Sequence, residues 1–281
     1  MASDSTSLTE RVLRRERWIV LAGLVALTVL SWAHILTGAG TGMSIRDMTI
    51  TSLFPHLMAD MPMPGVRMEM HPGMWSVNYL IIVLLMWWLM MIAMMTPSAA
   101  PMILLYARAT RHAQSTGQLQ QGVVPTVVFA GGYLLVWLGF SLLAAALQWA
   151  LEKSGVVSAM MMASTHAGVS AAILIAAGLY QLSPLKHVCL RYCRSPAQFL
   201  SRHWRPGALG ALRMGLEHGA FCVGCCWMLM TLLFVGGTMN VLWIAALAIF
   251  VLLEKVAPYG TWLARATGGV LLAWGAATLA V

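Results

Sequence analysis

Charge is what this chain has least of. Only 9% of its 281 residues are Asp, Glu, Lys or Arg, 60% are hydrophobic, and the mean hydropathy is +0.79. A soluble domain needs about 25% charged residues to cover its surface, so composition excludes a water-facing globule and makes membrane lipid the solvent. In lipid every backbone N–H and C=O must be paired inside its own element, which leaves helices or closed barrels. The apolar runs here are continuous rather than alternating, so the expected class is all-α. Energy-coupling motifs are missing too. There is no Walker A loop, no Asp-Lys-Thr-Gly phosphorylation sequence, no His-Glu-x-x-His helix and no recognisable Ser/His/Asp order. ATP-driven transport is therefore not encoded, and no catalytic residue is assigned. Disulfides are also not expected: the five cysteines are an odd number, and none falls in an expected outer loop.

What is present is a set of apolar runs of about 20 residues, the length an ~30 Å hydrocarbon layer requires. We read a polytopic integral membrane helix bundle of about seven spans near 18–36, 75–96, 124–150, 157–182, 210–236, 239–257 and 260–281, or six if the last is discounted because of Arg265. Residues 1–17 form an N-terminal tail and 18–281 a single transmembrane domain. The first span reads as a permanent helix, because no small-residue cleavage site follows it. With the N-terminus in the cytoplasm, 14 of the 17 Lys and Arg fall on inner segments and only Arg46, Arg67 and Lys153 on outer ones. That is the positive-inside distribution of a multi-pass protein of a bacterial inner membrane. The net charge of +8 reports topology, and no basic stripe interleaved with aromatics suggests nucleic acid.

Three loops follow from these spans. The outer loop 37–74 is rich in Gly, Pro and Met. The basic inner loop 97–123 opens on Thr96-Pro97, read as a helix stop. In the basic inner loop 183–209, Leu185 to His203 reads as an interfacial helix. Only Gly236-Gly237-Thr238 separates the fifth and sixth spans, which predicts a tight antiparallel hairpin.

Soft-metal chemistry concentrates in the fifth span. Cys222, Cys225 and Cys226 lie within five residues, with His218 one turn before and Met214 one turn before that. At ~1.5 Å per residue from Arg213, Cys222 lies ~13 Å and Cys226 ~20 Å deep. Thiolates suit Cu(I), zinc and iron–sulfur clusters. A buried cysteine is ordinarily a small hydrophobe, but three in five residues beside a histidine favour ligands. Glu217 is four residues from Arg213, a spacing that suits a simple ion pair.

The outer loop is a second signal. Residues 43–74 hold eight Met, and His56, Met61, Met63, Met68, Met70 and His71 combine thioethers with imidazoles in a Pro- and Gly-broken segment. That pairing suits Cu(I) and, at the histidines, Cu(II); packing as an apolar lid is the plainer alternative. A third signal is the stripe Met86, Met90 and Met94, with Met91 and Met95 beside it, although methionine at helical spacing more often packs than ligates. Met160, Met161, Met162 and His166 open the fourth span and would lie over the loop. A fourth signal is Cys189 and Cys193, one turn apart among cations on the cytoplasmic side, either an inner metal site or a redox-sensitive segment.

Several of these stretches carry a resemblance. They are Met86-Trp87 through Met94-Met95-Thr96-Pro97-Ser98-Ala99-Ala100-Pro101-Met102; Tyr180-Gln181-Leu182-Ser183-Pro184-Leu185-Lys186 through Cys189 and Cys193-Arg194-Ser195-Pro196; and Gly219 through Cys222-Val223-Gly224-Cys225-Cys226-Trp227 to Gly237-Thr238-Met239-Asn240. In them the chain resembles a prokaryotic family described as predicted metal-binding integral membrane proteins, a domain of unknown function. The resemblance spans most of the chain from the second span onward. It implies metal binding and brings no assigned reaction.

The expected function is thus metal handling in a membrane. Copper, as Cu(I), is the expected metal, with zinc as the alternative. The role would be that of a transporter or of a delivery factor serving a periplasmic metal-binding protein or cuproprotein. Two rival readings remain: a membrane thiol-redox protein using Cys222 and Cys225, and a structural subunit whose Cys and Met only pack.

Overall fold

The computed structural model describes residues 4–40, 48–49, 76–115, 123–158 and 162–280. Among them the chain is all-helical: α1 Asp4–Leu36, α2 Val77–Ser115, α3 Val123–Lys153, α4 Ala167–Leu182, α5 Pro184–Arg194, α6 Pro196–His203, α7 Gly207–Thr231, α8 Leu233–Gly236, α9 Val241–Val256 and α10 Gly260–Ala280. Five described helices are long and apolar enough to cross a membrane: α1, α2, α3, α7 continued by α8, and α10. The bent pair α4–α5 makes a sixth if taken as one span. Large apolar side chains face outward, among them Leu30, Leu143 and Val270. That surface suits hydrocarbon and not water.

The difference from seven expected spans has a geometric cause. α9 has 16 residues, roughly 24 Å at 1.5 Å each, short of an ~30 Å layer. α4 is equally short, because residues 157–158 and 162–166 are not helical. Val157 instead makes an antiparallel bridge to Ser164, and Met162 has a φ of 50°. The backbone N–H of Ser164 donates to the Phe234 carbonyl at 2.7 Å, pinning this turn to α8.

The expected stop at Thr96-Pro97 does not occur. α2 runs through Pro97 and Pro101 to Ser115. Proline is tolerated inside membrane helices where neighbours hold the freed backbone, and α2 packs along α1, α3 and α9. The segment expected as one interfacial helix over Leu185–His203 is two short helices. Ser195-Pro196 divides them, and α5 packs on α7. Ser183 starts α5: its hydroxyl accepts the Lys186 backbone N–H at 3.2 Å, with Pro184 in the first turn. The turn between α8 and α9 falls at the expected Gly236-Gly237-Thr238. Gly237 takes a φ of 89°, and the Asn240 side chain caps α9 by accepting the Trp243 N–H at 3.3 Å.

Candidate metal centre

α7 carries the cysteine run, and its small residues decide what reaches it. A Cβ on Gly215 would collide with the Phe129 carbonyl, so α3 lies against α7 with no side chain between them, the small-residue contact by which membrane helices approach closely. This brings Tyr133 of α3 to the thiols. On another side, Gly224 leaves room for α5: a Cβ there would stand 2.9 Å from the Cys189 Sγ. The Tyr180 hydroxyl donates to the Gly224 carbonyl, tying α4 to the same turn.

Four helices therefore converge on Cys222, Cys225 and Cys226, each only 1% exposed. Cys193 of α5 places its Sγ 3.8 Å from the Cys225 Sγ. From α2, the Met95 Sδ lies 3.9 Å from the Cys226 Sγ. From α3, the Tyr133 Oη lies 3.1 Å from the Cys222 Sγ and donates to the Met95 carbonyl at 3.3 Å. From α9, the Lys255 Nζ donates to the Cys222 Sγ at 3.0 Å and to the Ser98 Oγ at 3.1 Å, and lies 4.0 Å from the Met95 Sδ. The thiols of Cys225 and Cys226 both donate to the Cys222 carbonyl, at 3.1 and 3.0 Å. The sulfurs meet in pairs: among the described residues no three His, Cys, Asp or Glu side chains stand in the geometry of a closed metal site. All five cysteines are reduced.

The 3.8 Å separation has chemical meaning. A disulfide needs about 2.05 Å. Two thiolates on one tetrahedral metal with bonds of about 2.3 Å lie roughly 3.8 Å apart. The donor set of thiols and one thioether is soft throughout, the kind that selects Cu(I) and zinc over hard cations.

The remaining expected residues fall elsewhere. His218 is 3% exposed on the same α7 face, its ring stacked with Phe129 and Tyr133 and edge-on to Phe199, and its Nδ1 has no hydrogen-bond partner. The Met214 Sδ accepts the Arg205 N–H at 3.3 Å, which directs it to the α6–α7 corner. Glu217 pairs with Arg205 at 2.8 Å and with Arg213 at 3.4 Å, so the ion pair expected from spacing is present and gains a second arginine. Cys189 is half-buried beside Gly224. Met86, Met90, Met91, Met94 and Met95 are all buried in the core of the bundle. His56, Met61, Met63, Met68, Met70 and His71, together with Met160 and Met161, lie outside the described residues.

Sequence reasoning missed Lys255, Tyr133 and Ser98. Lys255 was counted among the charges that orient the bundle; its one sequence signal is that Glu254-Lys255 ends an apolar run. It also missed a buried ion pair. The Lys186 Nζ reaches Glu254 at 2.9 Å and also donates to the Gln181 side chain, with Lys186 fully buried. This pair ties together the junction of α4, α5 and α9.

The described chain is thus all-helical, with five or six helices long and apolar enough to cross a membrane and a buried cluster of soft donors. Residues 84–278 match the family model PpoB2, described as copper chaperone, and the chain belongs to that family. The match supports the metal side of the resemblance read in the sequence and names copper. No curated protein and no solved structure matches the chain.

Proposed function

We propose that this protein is a membrane-embedded chaperone for Cu(I). In this reading copper is cargo, held by two of the thiols of Cys193, Cys222 and Cys225, with Cys226 and Met95 adjoining. The observation that carries it is the convergence of Cys193 from α5 and Met95 from α2 on the α7 cysteines. Neighbours 3.8 to 3.9 Å apart provide steps for ligand exchange, which needs no ATP. Sequence charge orients the Met- and His-rich segment 43–74 outward, so copper is taken there and passed to the thiols or back to a cuproprotein partner. Zinc is the competing metal, because thiolates accept it too.

The test is metal content of detergent-purified protein grown with copper and zinc, wild type beside the Cys222/Cys225/Cys226→Ser variant. The expected result is near-stoichiometric copper in wild type and loss of at least tenfold in the variant. Equal copper in both proteins overturns the reading.

A second reading rests on the same 3.8 Å contact. With Cys193 and Cys225 3.8 Å apart, the centre would serve as a dithiol exchanging electrons with a quinone or a protein disulfide. A defined redox titration of metal-free protein, followed by thiol labelling, separates the two. Labelling unchanged across the range removes the redox reading.

A further inference from the structure

The buried centre carries one cation that has no carboxylate within 4.0 Å among the described residues. Among the described residues Glu254 pairs with Lys186, and Glu217 pairs with Arg205 and Arg213. Lys255 has no carboxylate partner among them. Lys255 is 7% exposed, and its ammonium lies against the Cys222 thiol, the Ser98 hydroxyl and the Met95 thioether. Holding an isolated charge away from water is costly, and the cost falls only where the buried set is neutral overall. Lys255 is also well placed to have avoided that cost. It is the second residue from the end of α9, where a long side chain readily snorkels outward. It turns inward instead.

We propose that Lys255 is a specificity-determining residue that makes the centre select a monovalent metal. This rests on the copper reading above. Cu(I) held by two deprotonated thiols carries a net charge of −1, because thiol ligands bind as thiolates and give up their protons. The Lys255 ammonium beside Cys222 brings that set to zero. A divalent ion on the same two thiolates is already neutral, and Lys255 then leaves the set at +1 in a low-dielectric bundle. Thiolate softness alone does not separate Cu(I) from soft divalent ions. The fixed ammonium does, through charge. Ser98 holds it in place at 3.1 Å, and Tyr133 closes the opposite side of Cys222 at 3.1 Å without adding charge.

The test compares two soft ions that differ in charge, Ag(I) as the stand-in for Cu(I) and Cd(II) for a divalent thiophile. Competition titrations are run on the full chain in detergent for wild type, Lys255→Met, Lys255→Arg and Cys222→Ser/Cys225→Ser. The wild type is expected to prefer Ag(I). Lys255→Met is expected to lower the Ag(I)-to-Cd(II) preference at least tenfold, or 1.4 kcal/mol, while Lys255→Arg keeps it. Lys255→Gln replaces the Met variant if that one does not fold. An unchanged preference in the neutral variant overturns this inference and leaves the copper reading standing, provided the double serine variant has lost Ag(I). Absence of Ag(I) and Cu(I) binding in wild type overturns both.

Discussion

The Sγ atoms of Cys193 and Cys225 lie 3.8 Å apart, although the residues are 32 positions apart and stand on different helices. α5 reaches α7 only because the chain bends by 64° between α4 and α5 at Ser183-Pro184. Proline cannot continue the α4 hydrogen-bond ladder, and Ser183 caps the new helix. A break in one helix thus delivers a thiol to another.

That proximity predicts efficient crosslinking. Mild oxidation of metal-free protein is expected to join Cys193 to Cys225, seen as a linked peptide pair by mass spectrometry. Bound copper is expected to suppress the product severalfold. A crosslink yield no higher than that of Cys189 with Cys225 contradicts the arrangement.

Lys186 and Glu254 form a buried ion pair at 2.9 Å. Removing one partner strands the other charge, at a cost of about 3–5 kcal/mol. Glu254→Gln is therefore expected to unfold at a clearly lower temperature in detergent. The double variant Lys186→Met/Glu254→Leu is expected to recover most of the loss. A single variant that melts with wild type argues against a desolvated pair.

Tyr133→Phe removes one hydroxyl that touches the Cys222 Sγ and donates to the Met95 carbonyl. The expected stability loss is about 1 kcal/mol, typical of one hydrogen bond. Copper affinity is expected to fall by several-fold, because Cys222 loses its positioning contact. Competition against a chromophoric Cu(I) chelator measures it.

His218 has a buried Nδ1 with no partner, which costs roughly 1–3 kcal/mol relative to a satisfied atom. His218→Leu is expected to fold at least as stably as wild type while binding copper more weakly, the signature of an atom kept for a ligand. Unchanged copper binding in a stable His218→Leu protein assigns the ring to packing alone.

Gly215→Val places a branched side chain where Gly215 meets the Phe129 carbonyl. Overpacking of this kind costs about 1–3 kcal/mol. The variant is expected to lose thermal stability and, because Tyr133 moves with α3, copper as well. Gly139→Val, at a position with nothing within 4 Å of its Cβ, serves as the tolerant control.

The helical class, the long apolar helices and the grouping of three thiols on α7 follow from the sequence alone. Each depends on local composition or helical spacing: nine per cent charge, runs of about 20 apolar residues, and three thiols within five positions. The turn at Gly236-Gly237-Thr238 is legible for the same reason, since glycine supplies the positive φ that a tight turn needs. The outcome at Pro97 was not, because whether a membrane helix survives proline depends on the helices packed around it. The shortness of α4 and α9 was likewise hidden. Hydropathy measures an apolar run and not where its backbone leaves the helix.

The makeup of the centre lies beyond any local pattern. Lys255 in sequence is one of seventeen Lys and Arg, and Cys193 belongs to a basic segment. Tertiary packing brings the first within 3.0 Å of Cys222 and the second within 3.8 Å of Cys225. Residues 222–226 place three thiols on one face of α7. The helix approaches allowed at Gly215 and Gly224, and the bend at Pro184, decided which charge and which further thiol share the site. Those contacts join positions far apart in sequence, where spacing carries no information.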